Sequence, residues 1–307
     1  MNACVRAFAR IHLGFYTYPP HPNPWRGSGI YLSSPHVTVC ITQGKSCFPS
    51  CIGAEQRNNV IGLVGEEAGV EIHGCIPPHR GLGSSTQLYL ATAKALALYK
   101  GERFDWKEMV SKLGRFKTSR VGALLFKYGG LVIDGSEVVG GHQSIKSLYH
   151  ASLPRNWTIL LVDPGGTPGP GEEWEENMWA TLPVAQREMN DKGERIVKTL
   201  AYAANLRDLD SFVKAAVELD RLTGQYFSTL NQGVTDGLVI DLVNALSGEG
   251  VVLMQSSWGP TLYTITASKD AVKIAELAKE VSTSLGFHAV EVSVVKPRNN
   301  GAALIST

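Results

Sequence analysis

Residues 77–87 read Pro-Pro-His-Arg-Gly-Leu-Gly-Ser-Ser-Thr-Gln, between an alternating run at 70–76 and an apolar run at 88–99. A glycine turn that opens onto a helix leaves the first-turn N–H groups unpaired. With the helix dipole behind them, those donors make an anion site. Gly81 and Gly83 let the backbone come close to a ligand around Leu82. Ser84, Ser85 and Thr86 add hydroxyl donors, and Arg80 adds charge. The chemistry this predicts is recognition of a phosphate ester. An ordinary N-cap shows the same local pattern and stays open as an alternative. The segment has neither the Gly-Lys-Ser/Thr of a Walker loop nor the Gly-x-Gly-x-x-Gly of a dinucleotide fold.

Three further groups carry possible chemistry. His12 follows strand-like residues and is either a proton carrier or a satisfied core histidine. Glu172, Glu173, Glu175 and Glu176 cluster after a Gly/Pro loop at 164–171, where they could hold magnesium or form a solvated first turn. The five cysteines are 4, 40, 47, 51 and 75; their spacing lacks a Cys-x-x-Cys pair, so reduced thiols are expected. Zinc and a disulfide within the Cys47 to Cys51 loop are the alternatives.

The elements that must position these groups follow from periodicity. Residues 4–13 and 30–41 read as strands, separated by a Pro-rich loop at 18–27 that excludes helix. Residues 59–65 fit a strand or a short helix. A helix is expected at 88–99 and another at 106–113, stopped by Gly114. Residues 121–126 and 130–134 read as short apolar strands about a Lys127-Tyr128-Gly129 turn. Residues 157–162 start a second β-rich unit, followed by helical periodicity over much of 174–247 with a break near Asn205. Residues 251–255 and 261–266 form a hairpin. Ser268 caps a helix that Gly286 stops, and Val290, Val292 and Val294 alternate in a last strand. The prediction is α+β in two domains, 1–150 and 151–307.

A formal net charge of +1 argues against a nucleic-acid binder. No apolar run approaches membrane-spanning length, and the first residues lack a secretory signal, so a cytoplasmic protein is expected.

The Gly81-Leu82-Gly83-Ser84-Ser85 turn, with its strand and helix, resembles the phosphate loop of the GHMP kinase superfamily. Its continuation, Thr86-Gln87-Leu88, looks like β-ribofuranosylaminobenzene 5′-phosphate synthase. So does the segment from Gln255 through Ser256, Ser257, Trp258, Gly259 and Pro260 to Thr261. Matches also run through Arg10-Ile11-His12, Arg120-Val121-Gly122, Gly129 to Gly135, Asn156-Trp157, Thr223 to Phe227 and Asn231-Gln232-Gly233. One departure is plain: the family's first-loop acidic residue has no counterpart, because the chain has no Asp or Glu before Glu55.

The resemblance implies a GHMP-kinase-like fold, with an N-terminal half like domain 2 of ribosomal protein S-five and a ferredoxin-like C-terminal half. It implies a decarboxylating phosphoribosyltransferase that joins 5-phosphoribosyl 1-diphosphate to 4-aminobenzoate or 4-hydroxybenzoate, in methanopterin-type cofactor synthesis. Magnesium is the expected cofactor, with Asp134 as its replacement ligand. His12, Arg26, Arg120 and Asp134 are the expected catalytic residues, and residues 80–86 the phosphate site. Arg10, Ser256, Ser257, Trp258 and Gly259 are expected to bind substrate, with Trp258 either stacking on the acceptor or filling the seam between halves. A homodimer is implied by analogy. An ATP-dependent small-molecule kinase and a silent sensor of a phosphorylated ligand remain as alternatives.

Overall fold

The computed structural model describes residues 3–17, 25–66, 68–113, 120–139, 142–165, 169, 187–228 and 237–305. Two long strands, β1 (Ala3–Thr17) and β2 (Trp25–Thr42), pair antiparallel and form the spine of the first sheet. Their inward residues, among them Val5, Ile11, Leu13, Ile30, Val39 and Ile41, are fully buried. The register shifts between His12 and Gly14, which brings the end of β1 against the helices above it.

The chain continues through α1 (Ala54–Val64), β3 (Gly69–His73), α2 (Ser84–Lys100), α3 (Trp106–Lys112), α4 (Val121–Tyr128) and β4 (Leu131–Asp134). A small hairpin, β5 (Glu137–Val139) with β6 (His142–Ser144), precedes β7 (Ser147–Ala151). The second sheet is antiparallel in the order β11-β8-β10-β9. Its strands are β8 (Trp157–Asp163), β9 (Met254–Gln255), β10 (Leu262–Ala267) and β11 (Glu291–Val295). Between β8 and β9 lie α5 (Arg187–Leu206), α6 (Leu209–Ser228) and α7 (Gly237–Gly248), and α8 (Ala271–Ser284) follows β10. The final β12 (Ala303–Ile305) returns to the first sheet beside β1, giving the order β12-β1-β2-β4-β7 with β3 also on β2.

One apolar core joins the halves. It runs from β1, β2 and α2 through Ile196, Leu200, Phe212 and Leu219 of α5 and α6 to Ile159 and Tyr263 of the second sheet. A smaller core around Leu242, Leu246 and Ala278 sits under α7 and α8. Among the described residues no helix is long and apolar enough to cross a membrane.

The structure differs from the sequence reading at several points. Residues 121–126 are helix, not strand: Val121 to Phe126 are buried all round, and a short run buried on every side has no polar face to reveal its period. Of the two readings for residues 59–65, the helix holds: 59–64 belong to α1 and Gly65 is its C-cap. Asp270, not Ser268, is the N-cap of α8; the Ser268 hydroxyl lies 2.9 Å from that of Thr158 instead.

Four cysteines are paired, Cys4 with Cys40 and Cys51 with Cys75, and Cys47 is a free exposed thiol. The first pair are direct cross-strand partners of β1 and β2, a neighbour relation that sequence spacing does not display. Of the Pro-rich segment read as a loop at 18–27, residues 25–27 are instead the start of β2, and 18–24 lie outside the described residues, as do the Glu172 to Glu176 cluster, Gly114 and the Asn231-Gln232-Gly233 segment.

Candidate active site

Gly83 is the N-cap of α2, with φ 78° and no side-chain capping hydrogen bond. No acidic residue occupies the first turn. The helix therefore meets the loop with its own donors uncovered, and α2 does not start in a serine-capped turn. Gly81 also has positive φ, 75°. A Cβ there would lie 2.0 Å from the carbonyl oxygen of Ser256, so the requirement for glycine is steric as well as conformational.

The facing turn has the same construction. A Cβ on Gly259 would lie 2.0 Å from the carbonyl carbon of Arg80 and from the nitrogen of Gly81. The Gln255 to Gly259 turn and the Gly81 loop are thus in backbone-to-backbone contact, with Ser257 (φ 56°) and His79 (φ 55°) in the left-handed region on either side. Non-glycine residues held there cost about 1–3 kcal/mol each and gather at functional sites.

Hydrogen bonds lock this rim to β1. The Ser256 hydroxyl donates to the Gly81 carbonyl at 2.7 Å and accepts the His12 N–H at 3.0 Å. The Arg10 N–H donates to the Leu82 carbonyl at 3.0 Å, and the Arg10 guanidinium donates to the Gly81 carbonyl. Its stem crosses Gly83, where a Cβ would stand 3.1 Å from Cγ. Arg10 therefore braces the Gly81 loop and brings its charge to it. Arg80 turns instead toward the second sheet, donating to Asp163 and to the Gly165 carbonyl, both at 3.2 Å.

Thr86 and Gln87 anchor the start of α2 to the elements behind it. Gln87 is fully buried; its Nε2 donates to the Gly122 carbonyl at 2.8 Å and its Oε1 accepts from the Tyr31 hydroxyl at 2.8 Å. Thr86 packs at Gly122, where a Cβ would lie 3.2 Å from its Cγ2. Ser85 accepts from Gln56 Nε2 of α1 at 3.3 Å. The loop is tied to α4 and β2 from behind, which leaves its other side for a ligand.

Under the start of β2 lies a polar floor. Arg120 and Asp134, each 1% exposed, pair at 2.8 Å. The other Asp134 oxygen accepts the Ser136 N–H at 2.8 Å, and Arg120 also donates to the Trp25 carbonyl. Arg26 donates to the Ser136 carbonyl at 3.0 Å, and the Tyr16 hydroxyl donates to the Asp134 carbonyl at 2.6 Å. The structure thus brings Arg26, Arg120 and Asp134 together, but below the surface of the site. With both oxygens engaged and burial this deep, Asp134 does not fit a magnesium ligand. Among the described residues no group of three or more His, Cys, Asp or Glu side chains is placed to hold a metal.

His12 is fully buried, stacked on Phe15 at 4.1 Å and facing Gly27, where a Cβ would stand 2.5 Å from Nε2. Burial first, and then the Arg10 charge, hold its pKa well below the usual value, so the ring is neutral. Its Nδ1 accepts the Gly14 N–H at 3.3 Å, which assigns the proton to Nε2. That is the environment of a packed ring rather than of a titrating shuttle.

Beside the rim the structure shows what the sequence reading did not single out: a small, half-open aromatic pocket. Phe15, Trp25, Tyr226 and Phe227 form its walls, with Met189, Leu222 and Thr223. Trp258 joins the same cluster, edge-on to Phe227 at 4.3 Å and 6.5 Å from Phe15. The turn that carries Trp258 therefore links two regions: Gly259 packs on the Gly81 loop, and the Trp258 ring meets Phe15 and Phe227 of the aromatic pocket. The visible signal for the slot was Trp25 next to Arg26 and the Tyr226-Phe227 pair at the end of a helical face; neither announces a cavity by itself.

Comparison with known proteins follows this geometry. Residues 54–123 match the GHMP kinases N terminal domain. The chain is similar to beta-ribofuranosylphenol 5′-phosphate synthase of Archaeoglobus fulgidus, 25% identical over 299 residues and covering 91% of each chain. It is similar also to the protein of that name from Methanocaldococcus jannaschii, 27% identical over 256 residues, which are 79% of this chain and 75% of the relative. Its fold matches that of mevalonate pyrophosphate decarboxylase from Streptococcus pyogenes, with a TM-score of 0.68 at 12% identity over 97% of both chains. The resemblance carried by the Gly81 and Trp258 motifs is thereby shown, and the fold is α+β and GHMP-kinase-like.

Proposed function

We propose that this chain is a decarboxylating phosphoribosyltransferase, an enzyme that joins 5-phosphoribosyl 1-diphosphate to a 4-substituted benzoate. The carrying observation is the Gln255 to Gly259 turn, which packs Gly259 on the Gly81 loop and sets Trp258 edge-on to Phe227 of the aromatic pocket. A kinase for small alcohols has no need of such a slot. The relatives' name gives their product as a phenol, which favours 4-hydroxybenzoate over 4-aminobenzoate as the acceptor here.

The reaction then runs as follows. The C1–O bond of the activated ribose breaks and diphosphate leaves with the electron pair. The ring carbon bearing the carboxylate attacks C1. The bond to the carboxylate then breaks, its electrons restore the ring, and CO₂ departs. No proton is gained or lost, which suits a site whose buried histidine stays neutral. The N–H groups at the start of α2 and the Arg10 guanidinium meet the departing charge. The aromatic walls hold the acceptor in reach and shield the ribosyl cation from water.

The test is incubation with phosphoribosyl diphosphate and each benzoate labelled in its carboxylate, with and without Mg²⁺. Labelled CO₂ is expected, faster from 4-hydroxybenzoate, and Trp258→Ala should lower kcat/KM at least tenfold. Diphosphate binding without CO₂ release would leave a sensor. ADP formation from ATP and a small alcohol would instead establish a kinase.

A further inference from the structure

The Gln255 to Gly259 turn is held from behind by a carboxylate that no part of this reaction calls for. Asp220 of α6 accepts the Gln255 N–H at 3.1 Å. The Gln255 side chain donates to the Gly259 carbonyl at 3.0 Å, closing the turn on itself. The next residue, Ser256, makes the bonds to Gly81 and His12. Asp220 is thus three links from the phosphate loop: carboxylate, turn, serine hydroxyl, glycine carbonyl.

The helix that carries it does more. Thr223, one turn on, accepts the Phe15 N–H at 2.8 Å, and Tyr226 and Phe227 are walls of the aromatic slot. β1 comes so close to this face that a Cβ on Gly14 would lie 2.7 Å from the Thr223 hydroxyl and 2.8 Å from Leu219. α6 cannot shift along β1 without collision, so its side chains are fixed references for whatever they touch. A largely buried carboxylate on such a helix is costly to desolvate, and here its hydrogen bond goes to the turn that packs on the Gly81 loop.

We propose that Asp220 is a positioning residue of the anion site, setting the Gln255 to Gly259 turn so that Ser256 and Gly259 hold the Gly81 loop open for diphosphate. It touches no reacting atom. The inference rests on the anion-site half of the functional reading and not on the choice of acceptor.

The test compares Asp220→Ala, which deletes the acceptor, with Asp220→Asn, which keeps an oxygen in its place. Affinity for inorganic diphosphate is measured by titration calorimetry, and affinity for 4-hydroxybenzoate by tryptophan fluorescence. Asp220→Ala is expected to weaken diphosphate at least tenfold, with 4-hydroxybenzoate changed less than twofold, and Asp220→Asn to restore diphosphate to within threefold of the parent. In turnover the alanine variant should raise KM for phosphoribosyl diphosphate and leave kcat within threefold.

Unchanged diphosphate affinity in Asp220→Ala would overturn the proposal. So would parallel loss of both ligands that asparagine does not rescue, since that is loss of fold. If the parent binds diphosphate but releases no CO₂, the synthase reading fails while the calorimetry still decides the role of Asp220. If the parent does not bind diphosphate, both fall.

Discussion

On one side of the Gln255 to Gly259 turn the neighbours are backbone; on the other they are rings. The rim is made by Gly81 and Gly259, each against a neighbouring backbone segment at a distance that excludes a Cβ, and by Gly83, whose φ of 78° favours glycine. The slot is made by Phe15, Trp25, Tyr226 and Phe227, large side chains delivered from β1, β2 and α6. Backbone walls depend on which atoms are missing. Ring walls depend on which helices and strands meet, and a different ring can often fill the same space. The rim should therefore fail completely on single substitutions that the slot would absorb.

Gly81→Ala tests this most severely. The new methyl meets the Ser256 carbonyl and the backbone must also hold a left-handed alanine, together about 3 kcal/mol or more. Loss of diphosphate binding by at least a hundredfold is expected, read by calorimetry. Phe227→Leu, by contrast, should leave diphosphate affinity within twofold and weaken 4-hydroxybenzoate about tenfold. If Phe227→Leu also removed diphosphate binding, the two compartments would be one site and the contrast would collapse.

The same contrast governs what could be read in the sequence. The rim was legible because glycine is scarce and its local spacing carries the constraint: Gly81, Gly83 and the Ser256 to Gly259 segment were all found from their letters. The long strands and α2 were legible from alternation and from the Gly83 start. The slot was not, because Phe15 and Phe227 look like any core residue until α6 is laid across β1. Helix α4 was misread because its buried run shows no period. Asp134 looked like a spare carboxylate, since pairing with Arg120 across 14 residues is visible only after folding. The disulfides were missed for the same reason. The Cys4 to Cys40 pair is set by strand register, and the Cys51 to Cys75 pair by how two loops meet, neither by distance along the chain.

Beneath the slot, the Arg120 and Asp134 pair offers a second contrast with the rim. Removing one partner of a buried ion pair strands the other charge. Arg120→Met alone should cost about 3–5 kcal/mol in urea unfolding. Replacing both, as Arg120→Met with Asp134→Leu, should recover at least half of that loss, because the floor then needs only to be filled. Failure of the double variant to recover would mean that the pair orients Trp25 and Ser136 specifically through their bonds to it.

The smallest expected effect separates rim from slot by pH. Burial pushes the Asp220 carboxyl up to about 7, against the opposing pull of the Gln255 N–H from β9 and of Arg221 on its own helix. The other titrating neighbour is the Tyr263 hydroxyl of β10, which stays protonated throughout because its own pKa is raised, chiefly by burial. An unfolded Asp titrates near pH 4, so between about pH 4 and 7 the folded chain binds the proton that the unfolded chain has lost. Folding stability from this group is present below pH 4 and declines as pH rises to about 7. The full span would be about 4 kcal/mol, and residual solvent contact should reduce it to about 2. His12 acts in the opposite sense, since its lowered pKa makes protonation of the fold unfavourable as pH falls below about 6.5. Asp220→Asn removes the first slope and keeps the second. In urea unfolding, the stability of the parent minus that of the variant should therefore fall by about 2 kcal/mol from pH 4 to pH 7. An unchanged difference across that range would mean the carboxylate is ionised throughout, held by its hydrogen bond rather than lifted by burial.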